Sequence, residues 1–480
     1  MTLPALPHPS SLVTDTGFRM TPEWYKHFQD TRSGLVAQIG DAAFFATRAD
    51  AQAYNPRVPP DFLVVAGHTV VGDCPPIYYA KVAAEPSHIA KLQILQGTWY
   101  EFRNAELDSR QVGVHLAASD AVDEFQDFVD AAAALEVPAV VADGETYDFP
   151  SGSIDLPAGI ILRGHGAILR RTVDLTIPLL QGTSVDGGRV DGLKLKYTAS
   201  TTTTTTTNST ALFLDTCNNW SAQNVVVEGA FYIGIYFRDC RRGSIEDCQC
   251  WGLYNRGIYV AADTYTEDIH TSRCLVDGYE FGTSNRLTNH MINTNGFGTG
   301  TGKNITFSDC IARHSSTSPQ GEGFGISERI GFQKLENCHA TDCYHGFLLQ
   351  EANSQPLQHV SVVNCQSDGC ELGFVGAGAD YFAISGCIAY DCVDGYYFDD
   401  CENFILSGNI ARDCSEDGFE FDGDSLAIAV SGNISDGNTA NGFLAADTVD
   451  YINAKGNISL NNGTAYTWGA GTGHDTTGNI

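Results

Sequence analysis

Three stretches of this 480-residue chain, VSVVNCQSDGCELGF (360–374), FAISGCIAYDCVDGY (382–396) and FILSGNIARDCSEDGF (404–419), are variants of one pattern. Each places a cysteine or asparagine a near-constant distance ahead of a glycine followed by an aromatic residue. Tracing that glycine gives Gly234, Gly257, Gly278, Gly296, Gly323, Gly346, Gly373, Gly395, Gly418 and Gly442, in steps of 18 to 27 residues. Self-similarity at such a period, near 23 residues, marks a solenoid whose units pack only on their neighbours.

The residues around the glycine say which solenoid. Large apolar residues follow it, among them Ile235, Ile258, Tyr279, Phe297, Phe324, Phe347, Phe374, Tyr396, Phe419 and Phe443, and others recur two positions later, as Phe237, Val260, Phe398 and Phe421. That alternation belongs to a strand with one buried face. A second ladder, Cys248, Cys274, Cys310, Cys338, Cys365, Cys387, Asn409, Asn433 and Asn457, offers small or amide side chains suited to an interior turn. There an asparagine bonds to its stacked copy and to the backbone. Leucine-rich repeats need a Leu-rich consensus and propeller blades about 40 residues per unit, so both fit worse. The expected fold is all-β, a right-handed single-stranded parallel β-helix.

Composition narrows the function. The 15 cysteines fall in ladders rather than in C-x-x-C spacings, so they are read as small buried hydrophobes and disulfides are not expected. A formal charge of −31 argues against nucleic acid and anionic membranes as partners. The opening MTLPALPHPSSLVTDTG has neither a basic region nor an apolar core of a signal peptide, and no later run is long enough to cross a bilayer. Folding in the cytoplasm of the producing cell is the expectation.

Ahead of the repeats, DAVDEFQDFVDAAAALEVPAVVADGETYDFPSGSIDLPAGIILRGHGAIL (120–169) opens with an amphipathic helix bearing Val122, Phe125, Phe128 and Val129 on one face, then short strands between Gly and Pro turns. This resembles the entry of pectate-lyase-like β-helix proteins, where a capping helix covers the first coil. GDCPPIYYAKVAAEPSHIAKLQILQGTWYEF (72–102) and MTPEWYKHFQD (20–30) resemble the neck and N-terminal segments of bacteriophage and prophage tailspikes. The resemblance implies a virion-attachment segment over 1–50, part of a small N-terminal α/β region, and a neck-like region over 51–108. It further implies a capped β-helix over 109–465 and a C-terminal tail over 466–480. It also implies a homotrimer, joined to the phage tail or baseplate through its N-terminal region, that binds and cleaves an acidic bacterial surface polysaccharide. Such a protein sits on the virion tail and is extracellular after host lysis.

Irregularities in the repeat point to where chemistry sits. Residues 236–345 carry 10 Lys/Arg against 13 Asp/Glu, whereas 346–480 carry 2 against 19, so the cations gather on the central coils. The steps through Gly278 and Gly296 look short, which predicts two cut-back coils forming a cleft floored near Asp277 and Asn295. Clefts with convergent polar groups are default binding sites. Within reach would lie Tyr254, Arg256, Tyr259, Arg273, Glu280, Arg313, His314, Glu322 and His345. For β-elimination at a uronic acid, Arg256, Arg273 or Arg313 would neutralise the carboxylate, with Tyr254, Tyr259, His314 or His345 as base or acid. That lyase reading is preferred. A glycosidase would instead need two carboxylates, such as Asp277 and Glu322, which this alignment puts at one ladder position about 10 Å apart. Asp394 and Asp417 share that ladder position, which favours a turn-forming role for Asp277. In a trimer the groove between subunits would bring Asp399, Glu420 and Asp422 into play. No cofactor is required; DGYYFDDCENF and EDGFEFDGDS are oxygen-rich enough for Ca²⁺ but lack EF-hand spacing. A fibre that grips a polysaccharide without cutting it is the non-enzymatic alternative.

Overall fold

A computed structural model describes residues 42–480 except 115–119, 199–208, 254, 278–291, 297–300, 315–320, 328–329, 351–356 and 358. It divides into two compact units, residues 1–114 with 130–140, and residues 115–129 with 141–480.

The first unit holds a five-stranded sheet in the order Ala42–Phe45, Phe62–Val65, Ile77–Val82, Trp99–Phe102, Lys91–Gln93. The first pair is parallel and the others antiparallel. Leu63, Val65, Ile77 and Tyr100 are fully buried on its inner side. The expected boundary at residue 50 does not hold, because Ala42–Phe45 needs Phe62–Val65 as its hydrogen-bonding partner.

The second unit is a right-handed parallel β-helix. Each coil visits three parallel sheets in turn, as in Val360–Val363 (first sheet), Gln366–Asp368 (second) and Leu372–Ala377 (third). At the N-terminal side, Phe125 of helix Val122–Ala134 meets Tyr147 and Phe149 edge-on at 5.5 and 5.3 Å. At the C-terminal side the coils run past residue 465. Thr464–Trp468 pairs with Asn441–Ala445, and Asn479 accepts from the Asn457 N–H at 3.0 Å. The expected tail is thus part of the helix, because an asparagine ladder that ended at Asn457 would leave a buried N–H unmet.

The two sequence ladders are the two kinds of interior stacking. On the third sheet Phe324, Phe347, Phe374, Tyr396, Phe419 and Phe443 stack ring on ring, with centroids 4.5–4.8 Å apart and planes within 8°. The glycine ahead of each ring is fixed by close approach: a Cβ on Gly395 would stand 2.7 Å from the Gly418 carbonyl oxygen. Between the first and second sheets the chain turns through one left-handed residue, Asp309, Asn337, Asn364, Gly386, Gly408 or Gly432, with φ of 53° to 65°. Asn, Asp and Gly tolerate that region best. The next residue, pointing inward, is the ladder Cys or Asn. Asn409 Oδ1 accepts from the Cys387 N–H, Asn433 Oδ1 from Asn409 and Asn457 Oδ1 from Asn433, each at 2.9 Å. All 15 cysteines are buried free thiols.

One stretch departs from the expected repeat. Ile258 pairs with Ile292, and Ile292 with Phe324, which are register steps of 34 and 32 residues. Ile292 therefore takes the place of the residue that follows a ladder glycine, and Gly296 pairs with Ala262 at the far end of its strand. Among the described residues there are no cut-back coils to make the expected cleft: these two register steps are longer than the repeat, not shorter.

Asn433 also donates to the Leu406 carbonyl at 3.1 Å. Asn433→Ala leaves the buried Asn409 N–H without its acceptor and is expected to cost about 1–3 kcal/mol, whereas Asn433→Cys, the residue used elsewhere in this ladder, should cost less. Urea denaturation of the two variants checks the order.

Candidate functional site

The glycine ladder also organises the outside of the third sheet. The residue just ahead of each ladder glycine forms one row running along the rungs: Arg256, then two rungs on Glu322, followed by His345, Leu372 and Asp394. Asp417, just ahead of Gly418, takes the next place in it. The residue two after the glycine points outward and forms a parallel row: Tyr236, Tyr259, Asn293, Gly325, Leu348, Val375, Tyr397, Glu420, Leu444. Rungs are roughly 4.8 Å apart, so each row is a graduated scale along the helix.

This placement sorts the residues singled out in the sequence. Arg256, Glu322 and His345 share the first row. His345 Nδ1 lies 3.6 Å from Glu322 Oε1, with the two side chains 18% and 21% exposed. Burial pushes the His345 imidazole down to about 4 against the opposing pull of Glu371. Arg256 lies three rungs from His345, roughly 14 Å, so these two do not serve one sugar ring. Tyr259 is buried beneath Arg256, whose guanidinium carbon stands 4.0 Å from the ring centroid.

The remaining candidates lie elsewhere. Asp277 and Arg313 are register partners on the second sheet and form an ion pair at 2.8 Å, so Asp277 does not share a ladder position with Glu322. His314 follows Arg313 and is buried. Arg273 is itself a left-handed turn residue, φ 52°, on the turn between first and second sheets, paired to Asp247 at 2.8 Å. Asn295 is a backbone partner of Ala261. Tyr254, Glu280 and the side chain of Asn295 lie outside the described residues. Four of the central cations are matched by an acid one coil away: Arg238 by Asp215, Arg273 by Asp247, Lys303 by Glu267 and Arg313 by Asp277. Arg256 makes no ion pair among the described residues.

The carboxylates concentrate two rungs beyond His345. Asp394 Oδ1 accepts from the Asp417 N–H at 2.9 Å, and Asp417 Oδ1 from the Asn441 side chain at 2.9 Å and from its backbone N–H. These two buried aspartates staple the rungs, in keeping with their reading as turn formers. One oxygen of each and one of Glu420 lie within 4.8 Å of one another, and they are the described groups that could hold a cation. Two of the three are already bonded to the backbone, so the set is built to staple rungs first. Glu420 pays electrostatically for this company: burial first, then Asp394, Asp417 and Asp422, pushes its carboxyl up to about 7. Asp422 follows it by two residues and points outward like it, which sets the two carboxyls roughly 7 Å apart. Their register neighbours on the preceding rung are Tyr397 and Asp399, and burial with Asp400 and Asp422 also raises Asp399. Inside, Phe419, Phe421, Tyr396 and Phe398 are fully buried, so this outward quartet rides on a rigid stack. Sequence reading reached Asp399, Glu420 and Asp422 only as residues of another face. It missed Asn293, because the misplaced coil hid its place in the outward row.

The His345 shift gives a stability prediction. The unfolded imidazole titrates near 6.5 and the folded one near 4, so between those values the unfolded chain binds more protons. Acidification across pH 6.5 to 4 is expected to remove up to about 3 kcal/mol through this group, and His345→Phe should flatten that part of the profile. Denaturation midpoints at several pH values measure it.

Comparison with known proteins agrees with the fold. The family profile described as "Right handed beta helix region" matches residues 330–462. No curated protein matches the sequence. Among solved structures, the tailspike protein gp49 from Acinetobacter baumannii bacteriophage Fri1, a capsular polysaccharide depolymerase, is 12% identical at a TM-score of 0.46, over 89% of this chain and 75% of that one. Bacteriophage CBA120 tailspike protein 3 is 10% identical at 0.48, over 84% of this chain and 64% of its own. The A-module of the Azotobacter vinelandii mannuronan C-5 epimerase AlgE6 is 12% identical at 0.46, over 78% of this chain and 99% of that one. The chain itself is a right-handed parallel β-helix.

Proposed function

We propose that this protein is a tailspike-type depolymerase that cleaves a bacterial surface polysaccharide by hydrolysis on the outer surface of its third sheet. The observation that carries the reading is the outward quartet Tyr397, Asp399, Glu420 and Asp422, held on two adjacent rungs by the stacked rings beneath. Hydrolysis of a glycosidic bond needs one carboxyl that is protonated and one that is not, on opposite sides of the sugar. Glu420, kept neutral by burial and its anionic neighbours, is suited to protonate the departing glycosidic oxygen. Asp422 then takes a proton from the water that attacks the anomeric carbon. A separation near 7 Å leaves room for that water and falls in the range of enzymes that invert the anomeric centre. The acid-base line runs along the strand, so the polymer crosses it and extends along the helix axis. The chemistry is proposed without a cofactor, and chelation should leave it unchanged.

β-Elimination remains as a second reading because Arg256, which makes no ion pair among the described residues, stands against Tyr259. The two readings separate cleanly on a panel of bacterial polysaccharides assayed for reducing ends and for ultraviolet absorbance. Hydrolysis gives reducing ends alone. Glu420→Gln is expected to lower the rate by about 10²–10⁴. The same variant has a second readout. The folded Glu420 carboxyl titrates above its unfolded value of 4.5, so stability falls as pH rises from 4.5 through about 7. Above pH 7, Glu420→Gln should therefore be more stable than the parent by about 1 kcal/mol, after allowing for solvent screening. Reducing ends formed at the parent rate by a folded Glu420→Gln variant would rule out this assignment.

A further inference from the structure

The upstream part of the third sheet's outer surface holds two polar groups, Arg256 in the first row and Asn293 in the outward row, that lack polar partners among the described residues. Tyr236 and Tyr259 stack on consecutive rungs, centroids 4.8 Å apart and planes at 26°, so Tyr236 takes one face of the Tyr259 ring. The Arg256 guanidinium, 4.0 Å from the Tyr259 centroid, must lie over the other face, the one turned to the next rung. The register partner of Tyr259 on that rung is Asn293. Asn293 is 0% exposed, and among the described residues neither its Nδ2 nor its Oδ1 has a hydrogen-bond partner. Arg256 is half-buried, and its Nε is buried without an acceptor among those residues.

Two facts make this more than an awkward corner of the fold. The same outward row carries Leu348 and Val375 further along, 4% and 3% exposed, so an apolar residue satisfies a covered position there. An amide with both ends unmet is a costly choice by comparison, and buried polar groups without partners call for an explanation. The second fact is the cation beside it, which among the described residues has a ring face but no counter-charge. The guanidinium over the Tyr259 ring and the amide at the register position on the next rung together offer donors with one net positive charge. That suits a monoanion with two oxygens, and the amide oxygen is left to accept a hydroxyl.

We propose that Arg256 and Asn293 form a subsite for a uronic acid residue of the polysaccharide, the guanidinium and Asn293 Nδ2 donating to the sugar carboxylate and Asn293 Oδ1 accepting from a ring hydroxyl. The inference rests on the third sheet being the glycan-binding surface, and it assigns that glycan's charge. The subsite lies five to six rungs from Glu420, roughly 24–29 Å, so it grips the polymer far from the bond that is cut.

The test is binding without turnover, read as the thermal unfolding midpoint of the full chain with D-glucuronate, D-glucose or acetate at tens of millimolar. Glucuronate is expected to raise the midpoint by roughly 1–2 °C, glucose not at all, and acetate by less than glucuronate. Arg256→Gln and Asn293→Leu should lose the glucuronate shift, and Asn293→Leu should melt no lower than the parent, since it removes an unmet amide. If Asn293→Leu does not fold, Asn293→Asp provides the second variant, its added charge repelling the carboxylate. Absence of the shift in the parent, or its survival in both Arg256→Gln and the Asn293 variant, overturns the proposal. An equal shift with acetate overturns the assignment to a sugar. Glu420→Gln should keep the shift in full, so a failure of the hydrolytic reading and a failure of this subsite give different results.

Discussion

Every outward side chain discussed above owes its position to what happens inside the turns of the β-helix. A left-handed residue reverses the chain, and the next side chain bonds the backbone N–H of the neighbouring rung, as Asn433 does for Asn409 at 2.9 Å. These contacts fix the rung spacing and the register together. A slip of one residue would move every inward ring to the outside. The stacked Phe324 to Phe443 series is therefore a consequence of the turns as much as a cause of stability, and the outward rows inherit its regularity.

That dependence explains what was legible in the sequence. The turns need Asn, Asp or Gly at one position and Cys or Asn at the next, and the rings need a glycine ahead of them where a Cβ would strike the next carbonyl. Those demands recur in most coils, so the fold and most of the core could be read directly. Between Ile258 and Phe324 the demands are met by Ile292 without a glycine or an aromatic residue, while the inserted segment at 278 and the far strand end at 296 offer Gly-aromatic decoys. The expected cleft was built on those decoys. Cation pairing was equally hidden: Arg313 finds Asp277 and Arg273 finds Asp247 at separations of 36 and 26 residues, set by the true register alone. With the coil misplaced, a neutralised arginine and an unpaired one look the same.

The staple and the proposed chemistry are linked through Glu420. Asp394 and Asp417 are used inside the row to bind the rungs, and each accepts a backbone N–H. Their charge is the by-product of a structural job, yet it falls on the outward carboxyl beside them and helps hold it protonated. A polar ladder made of asparagine, as at 409 to 457, would bond the backbone as well without that field. The exchange of Asn for Asp in one ladder is the step by which a structural device acquires a proton to give.

Charge then constrains how an acidic polymer could lie on the third sheet. Around Glu420 the described neighbours Asp394, Asp399, Asp417 and Asp422 are all acidic, so a uronate carboxylate placed there would be repelled. Around Arg256 the local balance is reversed. A polymer alternating neutral and acidic sugars resolves the conflict only in registers that put a neutral residue over the carboxylates while an acidic one meets the guanidinium. Because the rows advance by one rung at a time and a pyranose covers about the length of one rung, the sequence of the glycan can be compared with the sequence of the rows almost residue by residue. Specificity would then come from the phase between two repeats, with Arg256 selecting which bond reaches Glu420. Moving the cation by one rung should change the bond that is cut before it changes the rate of cutting.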